Sequence, residues 1–268
     1  MSCYAAPWGQ EGAIKAITDI AECGYEGLEF PADVVQRFED RLHVFEEILD
    51  TTGLKLSGLV QDVNLIDKDK ADEQVERAAN SARFAGATGR GCLVVCHSEP
   101  VETPLVDDDW LTVGAILEEI GIRCRDFGIN LCFLPKACYL GDSDKDLKRI
   151  MAMTSPDAVY LAIDTAELAL ADMDVVKIIK TYADRLKAVR FRDASGSKRR
   201  AEATSAKPGS APQFGRGAVK FDVVAKALID IKYENWVTVD VTGEASSPKD
   251  AGMTAYRFVM RRSGLYPY

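Results

Sequence analysis

Titratable side chains stand at the ends of short apolar runs along this sequence. His97, Asp164 and Asp240 each lie at or near the end of such a run, and Arg190 and Arg192 lie in another. Carboxylates and imidazoles can accept or donate protons, and guanidinium groups can hold anions through fixed hydrogen bonds. These groups can act together only if the runs are strands whose carboxyl ends meet on one side of a sheet.

The apolar runs alternate with amphipathic segments along the whole chain. The segments repeat apolar residues with the 3.6-residue period of helices, and several glycines, among them Gly86 and Gly121, are predicted to end these helices. Strict alternation of strands and helices is typical of a parallel sheet. Eight strands are predicted, at Ser2–Ala6, Gly27–Phe30, Lys55–Val60, Cys92–His97, Asn130–Leu134, Val159–Asp164, Ala188–Arg192 and Trp236–Val241.

Eight strand–helix units fit either a closed barrel or an open, doubly wound sheet. An open sheet normally carries a G-x-G-x-x-G sequence after its first strand, and residues 7–12 read PWGQEG instead. A barrel needs about 250 residues, close to the 268 of this chain, and no linker divides the sequence. We therefore predict an α/β fold with one domain, a single (β/α)8 TIM barrel over residues 1–268.

One segment interrupts the alternation. Residues 194–217 are rich in Ser, Gly, Pro and Ala and contain the basic sequence Lys198-Arg199-Arg200. In a barrel this segment follows the seventh strand and emerges on the side where active sites lie. Long loops in compact domains are often functional, so the segment is predicted to be a lid or a flexible loop.

Charge and composition limit the classes of partner. The net charge of −9 and the pI near 4.9 disfavour nucleic-acid binding, which needs a clustered positive field. No apolar run approaches the roughly 18 residues of a membrane span, and the first residues lack the features of a secretory signal. The seven cysteines are scattered in apolar settings, which suits reduced thiols. We expect a cytoplasmic protein with no nucleic-acid or membrane partner.

Several passages, taken in order, resemble the xylose isomerase-like barrel family, which includes ketose epimerases, hydroxypyruvate isomerase, inosose dehydratase and the endonuclease IV branch. They are AECGYEGLEF at 21–30, FAGA leading to VVCH at 84–97, GINLCF at 128–133, and FGRGAVKF followed by YENWVTVD at 214–240. The resemblance covers nearly the whole chain. It implies a (β/α)8 barrel but says little about the substrate, since one barrel fold hosts many chemistries. The endonuclease branch is disfavoured, because it needs a His-rich site and this chain has two His residues.

The resemblance also implies where a metal would bind. In the family pattern, Glu, Asp, His and Glu at the ends of strands five to eight hold Mn²⁺ or Mg²⁺. The corresponding positions here are Leu134, Asp164, Arg190 and Asp240, and the family's D-x-x-H sequence becomes D-x-x-E at Glu167. Two of the four expected ligands are therefore carboxylates, and a third position carries a cation.

Arg190 argues against a metal of the family type. A guanidinium has no lone pair to donate and stays protonated in proteins. We expect it to form a fork onto Asp164 or Asp240 in the space that the ion would fill. No cofactor is therefore predicted, and Mn²⁺ or Mg²⁺ held by Glu167, His97 and the two aspartates is the alternative.

The resemblance and the substituted positions together suggest roles for the polar residues. Cations would hold a carboxylate, a phosphate or a developing enolate oxygen in place of the metal, and a carboxylate would move the proton. Trp8 could form an aromatic wall or simply pack at the rim of the barrel. Gln61 could bind hydroxyls or start a loop, and Glu29 could face the site or be a surface carboxylate. The candidate catalytic residues are Glu167, Lys136, Arg190 and His97, and the candidate substrate-binding residues are Asp164, Asp240, Arg192, Trp8, Gln61 and Glu29.

Three functions follow as hypotheses. The first is an isomerase or epimerase that acts on a small keto-sugar, polyol or hydroxy acid through an enolate-type intermediate, without the usual metal site. The second is a lyase of the dehydratase type, since the same intermediate can lose a β-hydroxyl group. The third is a non-catalytic binding subunit, in which the charged residues form a structural network. The expected partner is a small polyhydroxylated or anionic molecule, and self-association through the outer helices would give a homo-oligomer.

Overall fold

Eight parallel strands close into a barrel in the computed structural model of the chain, which describes residues 1–9, 12–89, 91–101, 103–195, 211–244 and 246–265. Each strand pairs with the next in sequence order, and the eighth pairs with the first. The strands are β1 Ser2–Tyr4, β2 Gly27–Pro31, β3 Lys55–Val63, β4 Cys92–His97, β5 Asn130–Phe133, β6 Val159–Asp164, β7 Leu186–Phe191 and β8 Val237–Val239. The predicted barrel is confirmed.

The helices of the described residues form the outer layer. They are α1 Ala13–Glu22, α2 Val34–Phe38, α3 Leu42–Thr52, α4 Ala71–Ala87, α5 Asp107–Asp126, α6 Asp144–Met153, α7 Thr165–Leu170, α8 Val175–Thr181, α9 Phe221–Asp230 and α10 Pro248–Arg262. Their apolar faces pack on the outer faces of the strands in one large core. None of these helices is long and apolar enough to cross a membrane, and all seven cysteines are free thiols.

The predicted strands all form, but some ends differ. The third strand was expected to end at Val60 and continues to Val63, because its last residues pair with β4 as far as His97. The pairing of β3 with β2 stops earlier, where Pro31 faces Val60. Partners on neighbouring strands therefore decide where a strand ends, and the sequence of one strand does not show them.

Alternation along each strand separates the inside of the barrel from the outer core. A small cluster inside the barrel is separate from the large core and contains Val94, Cys96, Cys132, Leu134 and Ala162. Their neighbours on the same strands belong to the outer core. The residue two positions beyond a cluster member on a strand also faces inward, which fixes the direction of the polar side chains at the strand ends.

The prediction that Gly86 and Gly121 end helices is wrong. Gly86 lies within α4 and Gly121 within α5. A β-carbon at Gly86 would lie 2.5 Å from the carbonyl oxygen of Phe127, and one at Gly121 would lie 2.4 Å from that of Ala158. These glycines therefore allow the helices to approach neighbouring backbone, a demand that becomes visible only when the segments are packed.

We expect Gly121→Ala to lower the free energy of unfolding by about 1–3 kcal/mol, because the backbone of Ala158 cannot yield to the added methyl group. Gly114→Ala is the matched control in the same helix, since its methyl group would meet the flexible side chain of Met153 at 3.0 Å. It should stay within about 1 kcal/mol of the parent, helped by the better helix propensity of alanine. Urea unfolding measures both variants, and equal losses would contradict the backbone argument.

Candidate active site

A cluster of charged side chains occupies the carboxyl ends of β6, β7 and β8. Asp164 ends β6, Arg190 lies near the end of β7 with Arg192 just beyond it, and Asp240 follows β8. Alternation from the inner cluster places all four on the inside of the barrel. The carboxyl ends of the strands are the face where barrel enzymes build their active sites.

Arg190 is the centre of the deeper part of this cluster. Its Nη2 donates to Oε2 of Glu29 at 2.5 Å, and its Nη1 lies 3.7 Å from Oδ2 of Asp240. The guanidinium carbon stands 4.1 Å from the centre of the Tyr4 ring. Burial opposes the charge, but Glu29 and Asp240 outweigh it and raise the pKa of Arg190, so this side chain stays a cation.

The expected fork of Arg190 is therefore corrected in part. Asp240 is a partner, as expected, but Glu29 on the opposite side of the barrel is the nearer one and Asp164 is not paired with it. Glu29 is buried, so the alternative of a surface carboxylate is wrong. The reason is geometric, because an inward side chain on β2 reaches across the interior to β7.

Asp164 forms its ion pair with Arg192 and not with Arg190. The Nε of Arg192 lies 3.2 Å from Oδ2 of Asp164, and its Nη2 contacts Oε1 of Glu167. The other oxygen of Glu167, Oε2, accepts the N–H of Ala137 at 2.9 Å. Glu167 is thus held from two sides at the start of α7.

Asp164 also begins α7. Its Oδ1 accepts the N–H groups of Ala166 at 2.9 Å and Glu167 at 3.1 Å, which makes it the N-cap of that helix. Burial raises the pKa of Asp164 to about 6, against the lowering effect of Arg192 and with a further increase from Glu167. This carboxyl group therefore changes its charge in the neutral to mildly acidic range.

Lys136 enters the site from the loop after β5. Its Nζ lies 3.7 Å from Oδ1 of Asp62 and 4.3 Å from the centre of the Tyr139 ring. The same Asp62 oxygen accepts a hydrogen bond from the thiol of Cys96 at 2.9 Å. Burial opposes the charge of Lys136, but Cys96, Asp62 and Glu167 outweigh it and raise the pKa. Lys136 is therefore a cation at neutral pH.

The cluster has an accessible layer and a buried layer. The side chains of Lys136, Arg192 and Glu167 are 24%, 21% and 14% exposed. Beneath them, Arg190 is 10% exposed and Asp240 2%. A small molecule at the mouth of the barrel can touch the first three residues, whereas the buried ones hold them in place.

His97 is not brought to this cluster. It follows the inward Cys96 and therefore lies on the outer face of β4. Its Nδ1 accepts the N–H of Leu65 at 3.1 Å, and burial lowers its pKa. The structure places a neutral imidazole in the wall of the barrel, away from Glu167.

Trp8 and Gln61 also lie outside the cluster. The indole N–H of Trp8 donates to Oδ2 of Asp19 at 2.9 Å, an oxygen that also binds Lys15, so the ring packs beside α1. Gln61 follows Val60 of the inner cluster and faces outward, where it lines a separate cavity. Trp8 follows β1, as the sequence indicated, whereas Gln61 lies within β3 and not after it. The sequence did not show which way either side chain points.

The strand-end positions that the resemblance assigns to a metal do not form a donor set. Leu134 packs in the apolar inner cluster, and Arg190 occupies the space between Glu29 and Asp240. Within the described ranges, no group of three or more His, Cys, Asp or Glu side chains is arranged to hold a metal ion. The residues at these positions therefore do not fit a metal of the family type.

Asp193 organises the ends of the segment predicted as a lid or flexible loop. Its carboxylate accepts the N–H groups of Ala194, Gly215, Gly217 and Val219 at 2.8–3.3 Å. Residues 196–210 of that segment lie outside the described residues. No sequence pattern predicts this role of Asp193, although an Asp before a Gly-rich segment is the type of residue whose carboxylate accepts hydrogen bonds from nearby backbone N–H groups.

The chain matches the family model for xylose isomerase-like TIM barrels over residues 17–259. Inosose dehydratase from Lacticaseibacillus casei is 25% identical, with 84% of this chain and 80% of that protein covered. Inosose dehydratase from Clostridium perfringens (strain 13 / Type A) is 22% identical, with 96% and 92% covered.

Solved structures share the fold at low sequence identity. The 3-keto-D-glucoside 4-epimerase YcjR from E. coli has a TM-score of 0.78 at 14% identity, with 96% of this chain and 97% of that chain covered. The IolI protein with a bound zinc atom has a TM-score of 0.82 at 14% identity and 99% and 98% coverage. D-Allulose 3-epimerase from Methylomonas sp., in complex with D-allulose, has a TM-score of 0.74 at 17% identity and 97% and 96% coverage.

We expect Arg190→Met to lower the free energy of unfolding by about 3–5 kcal/mol, because it leaves Glu29 and Asp240 buried without a counter-charge. Adding Glu29→Gln to that variant should recover part of the loss. Arg123→Met is the control, since Arg123 forms its ion pairs at the surface, where such pairs contribute about 0–1 kcal/mol. Urea unfolding measures the free energy of unfolding of each variant. A loss for Arg190→Met no larger than that for Arg123→Met would contradict the buried-pair argument.

A pH dependence follows from Asp164. Its folded-state pKa of about 6 lies above the ordinary value of 3.8, so the stability linked to its protonated form is complete below about pH 4 and lost as the pH rises through 6. Asp164→Asn keeps a good helix cap and cannot ionise. Its free energy of unfolding relative to the parent should therefore increase between pH 4 and 7, by up to about 3 kcal/mol.

Urea unfolding at several pH values measures this difference. Asp174→Asn supplies the baseline, because Asp174 caps α8 by accepting the N–H of Lys177 at 3.0 Å at the protein surface. A difference between Asp164→Asn and the parent that stays constant over the whole range would show that burial does not raise the pKa of Asp164.

Proposed function

The chain belongs to the xylose isomerase-like TIM barrel family, and we propose that it is an enzyme that moves a carbon-bound proton next to the carbonyl group of a small polyhydroxylated substrate. In its first form this is an isomerase or epimerase. The observation that carries the proposal is the accessible group of Lys136, Glu167 and Arg192, in which one carboxylate stands between two cations at the mouth of the barrel.

Glu167 is the base in this proposal. A general base must be reachable by the substrate and held in one position. Its carboxylate is partly exposed, and its two oxygens bind the guanidinium of Arg192 and the N–H of Ala137. The free lone pairs of these oxygens can accept a proton from a substrate carbon above them.

Lys136 and Arg192 stabilise the charge that develops on the carbonyl oxygen. Fixed cations aimed at a developing enolate do the electrostatic work that a metal ion does in other enzymes. Lys136 can also return a proton, since it carries its charge at neutral pH. An epimerase needs a proton donor on the opposite side of the carbon from its base, and Lys136 belongs to the loop after β5, whereas Glu167 belongs to the first turn of α7.

The buried layer keeps this arrangement in place. Arg192 is held by Asp164, which also caps the helix that carries Glu167. Arg190 neutralises Glu29 and Asp240 underneath. We assign Arg190, Asp164 and Asp240 to positioning, because a substrate at the mouth of the barrel meets the accessible layer first.

The balance of charge favours a neutral substrate over an anionic one. The cations of the cluster are Lys136, Arg190 and Arg192, and its carboxylates are Glu29, Asp62, Asp164, Glu167 and Asp240. Three cations therefore face five carboxylates, and protonation of Asp164 removes part of the excess. A keto-sugar or keto-polyol enters such a site at lower electrostatic cost than a phosphate or carboxylate.

Dehydration is the second candidate, and the curated relatives favour it, because those described above are inosose dehydratases. The first step is the same: Glu167 takes the proton and the electron pair moves onto the carbonyl oxygen. The pair then returns to form a carbon–carbon double bond, the β C–O bond breaks, and Lys136 protonates the departing hydroxyl group, which leaves as water.

Both forms are proposed to proceed without a family-type metal. The positive charge beside the developing oxygen comes from Lys136 and Arg192, and the strand-end positions lack a donor set. The third hypothesis, a non-catalytic binding subunit, predicts that substrates bind and no carbon-bound proton moves.

We expect the protein to incorporate solvent deuterium into a neutral ketose or keto-polyol, and Glu167→Gln to slow this exchange by about 10²–10⁴-fold, the usual contribution of a general base. NMR of the recovered substrate measures the exchange. The same spectra show whether an epimer or a dehydrated product forms, which separates the isomerase from the dehydratase.

Glu119→Gln is the matched control, since Glu119 pairs with Arg123 at the surface of α5. It should exchange deuterium at the parent rate, and exchange should survive exhaustive dialysis against a chelator. Exchange that stops on chelation and returns with Mn²⁺ would overturn the metal-free proposal. Ligand binding without exchange at any pH would favour the binding subunit.

A further inference from the structure

A cavity of the described residues lies away from the charged cluster. Its volume is about 430 Å³, and it opens between α2, α4 and the carboxyl ends of β1, β2 and β3. Ligand pockets have volumes of about 300–1,000 Å³, so the cavity can hold a small molecule. None of the cluster residues from β5 to β8 lines it.

Gln61 is the unusual residue of this cavity. It is 5% exposed, and among the described residues neither the oxygen nor the nitrogen of its side-chain amide has a hydrogen-bond partner. A buried amide without partners costs about 1–3 kcal/mol. Groups of this kind persist where a ligand or bound water satisfies them.

The way β3 is paired explains why a cavity opens beside the buried amide of Gln61. Pairing with β2 stops at Val60, whereas pairing with β4 continues to Val63. From Gln61 onward, the β2 side of β3 therefore has no neighbouring strand among the described residues. One backbone carbonyl on this edge, that of Asp62, accepts a hydrogen bond from Nη2 of Arg77 in α4 at 2.5 Å. The rest of the gap is the cavity.

The lining of the cavity combines apolar and hydrogen-bonding surfaces. The apolar part includes Phe30, Pro31 and Val34, and the polar part includes Gln61 and Asn80. An amide offers both a donor and an acceptor, which matches hydroxyl groups, since each hydroxyl also donates and accepts. The apolar surface suits the C–H face of a sugar or cyclitol ring.

Charge also favours a neutral ligand. Arg37 and Arg77 are the cations that line the cavity, and Asp33 and Asp62 are the carboxylates. The two positive and two negative side chains cancel, so the lining of the cavity has no net positive charge that would attract an anion such as phosphate. A neutral polyol meets hydrogen-bonding groups here without an electrostatic cost.

We infer that this cavity is a second binding site, for a neutral polyhydroxylated molecule, with Gln61 as its central hydrogen-bonding residue. The site is separate from the proton-transfer group, and its existence does not depend on the proposed function. Asp62 links the two regions, because it lines the cavity and also pairs with Lys136. A ligand in the cavity therefore lies beside the wall that positions one of the proposed catalytic cations.

The test is equilibrium binding by saturation-transfer NMR and calorimetry, with myo-inositol and D-glucose as neutral probes and inorganic phosphate and citrate as anionic ones. Measurements in a Glu167→Gln background prevent turnover from disturbing the titration. A neutral polyol should bind, and Gln61→Leu should weaken it by about tenfold or more. The same variant should unfold at a higher urea concentration, because it no longer buries an unsatisfied amide.

Two further variants separate the cavity from other sites. Ala6→Leu adds bulk to the cavity lining without removing a polar group and should weaken binding as well. Thr103→Leu is the matched control in a cavity of about 380 Å³ next to α5 and α6, and it should leave binding unchanged.

Three outcomes would overturn the inference. No binding of either polyol would show that the amide is satisfied by water alone. Binding that survives Gln61→Leu and is lost with Lys136→Met would place the ligand at the charged cluster. Binding of the anions alone would contradict the neutral ligand. Because each readout is binding and not turnover, failure of the proposed enzymatic activity would leave a positive result intact.

Discussion

Two arginine side chains inside the barrel control the rest of the candidate site. A buried guanidinium needs carboxylate partners, because removing its charge from water costs several kcal/mol. Arg190 on β7 therefore pairs with Glu29 from β2 and with Asp240 from the end of β8, and Arg192 brings Asp164 and Glu167 into one group. Once these pairs form, the interior between β6 and β8 is filled by ion pairs.

This filling has a chemical consequence. A strand-end histidine can share a metal with carboxylates, whereas an arginine in the same place neutralises them directly. The apolar Leu134 removes a further donor from the same region. What remains accessible is a carboxylate between two cations, Glu167 with Lys136 and Arg192, which suits proton transfer beside a carbonyl group.

The mouth of the barrel is thereby divided into two halves of different character. Over β5 to β8 the charged groups are packed against one another, and solvent reaches them from above. Over β1 to β3 the early end of the pairing between β2 and β3 opens a cavity with few charges and a buried amide, that of Gln61. Asp62 belongs to both halves, so a ligand in one half can influence the other through Lys136.

The sequence by itself determined the barrel, since apolar runs and helical periods are local properties that any window of residues displays. It also placed the charged residues at strand ends, and Arg190 at a position where the resemblance implies a metal ligand led to the prediction of a site without a family-type metal. Tertiary structure alone decided the partners. Glu29 pairs with Arg190 across 161 positions of sequence, and His97 turns to the outer face through the register of β4. The direction of each side chain and its partner depend on which strand ends meet in the closed sheet. A shift of one residue along a strand turns a side chain from the inner to the outer face.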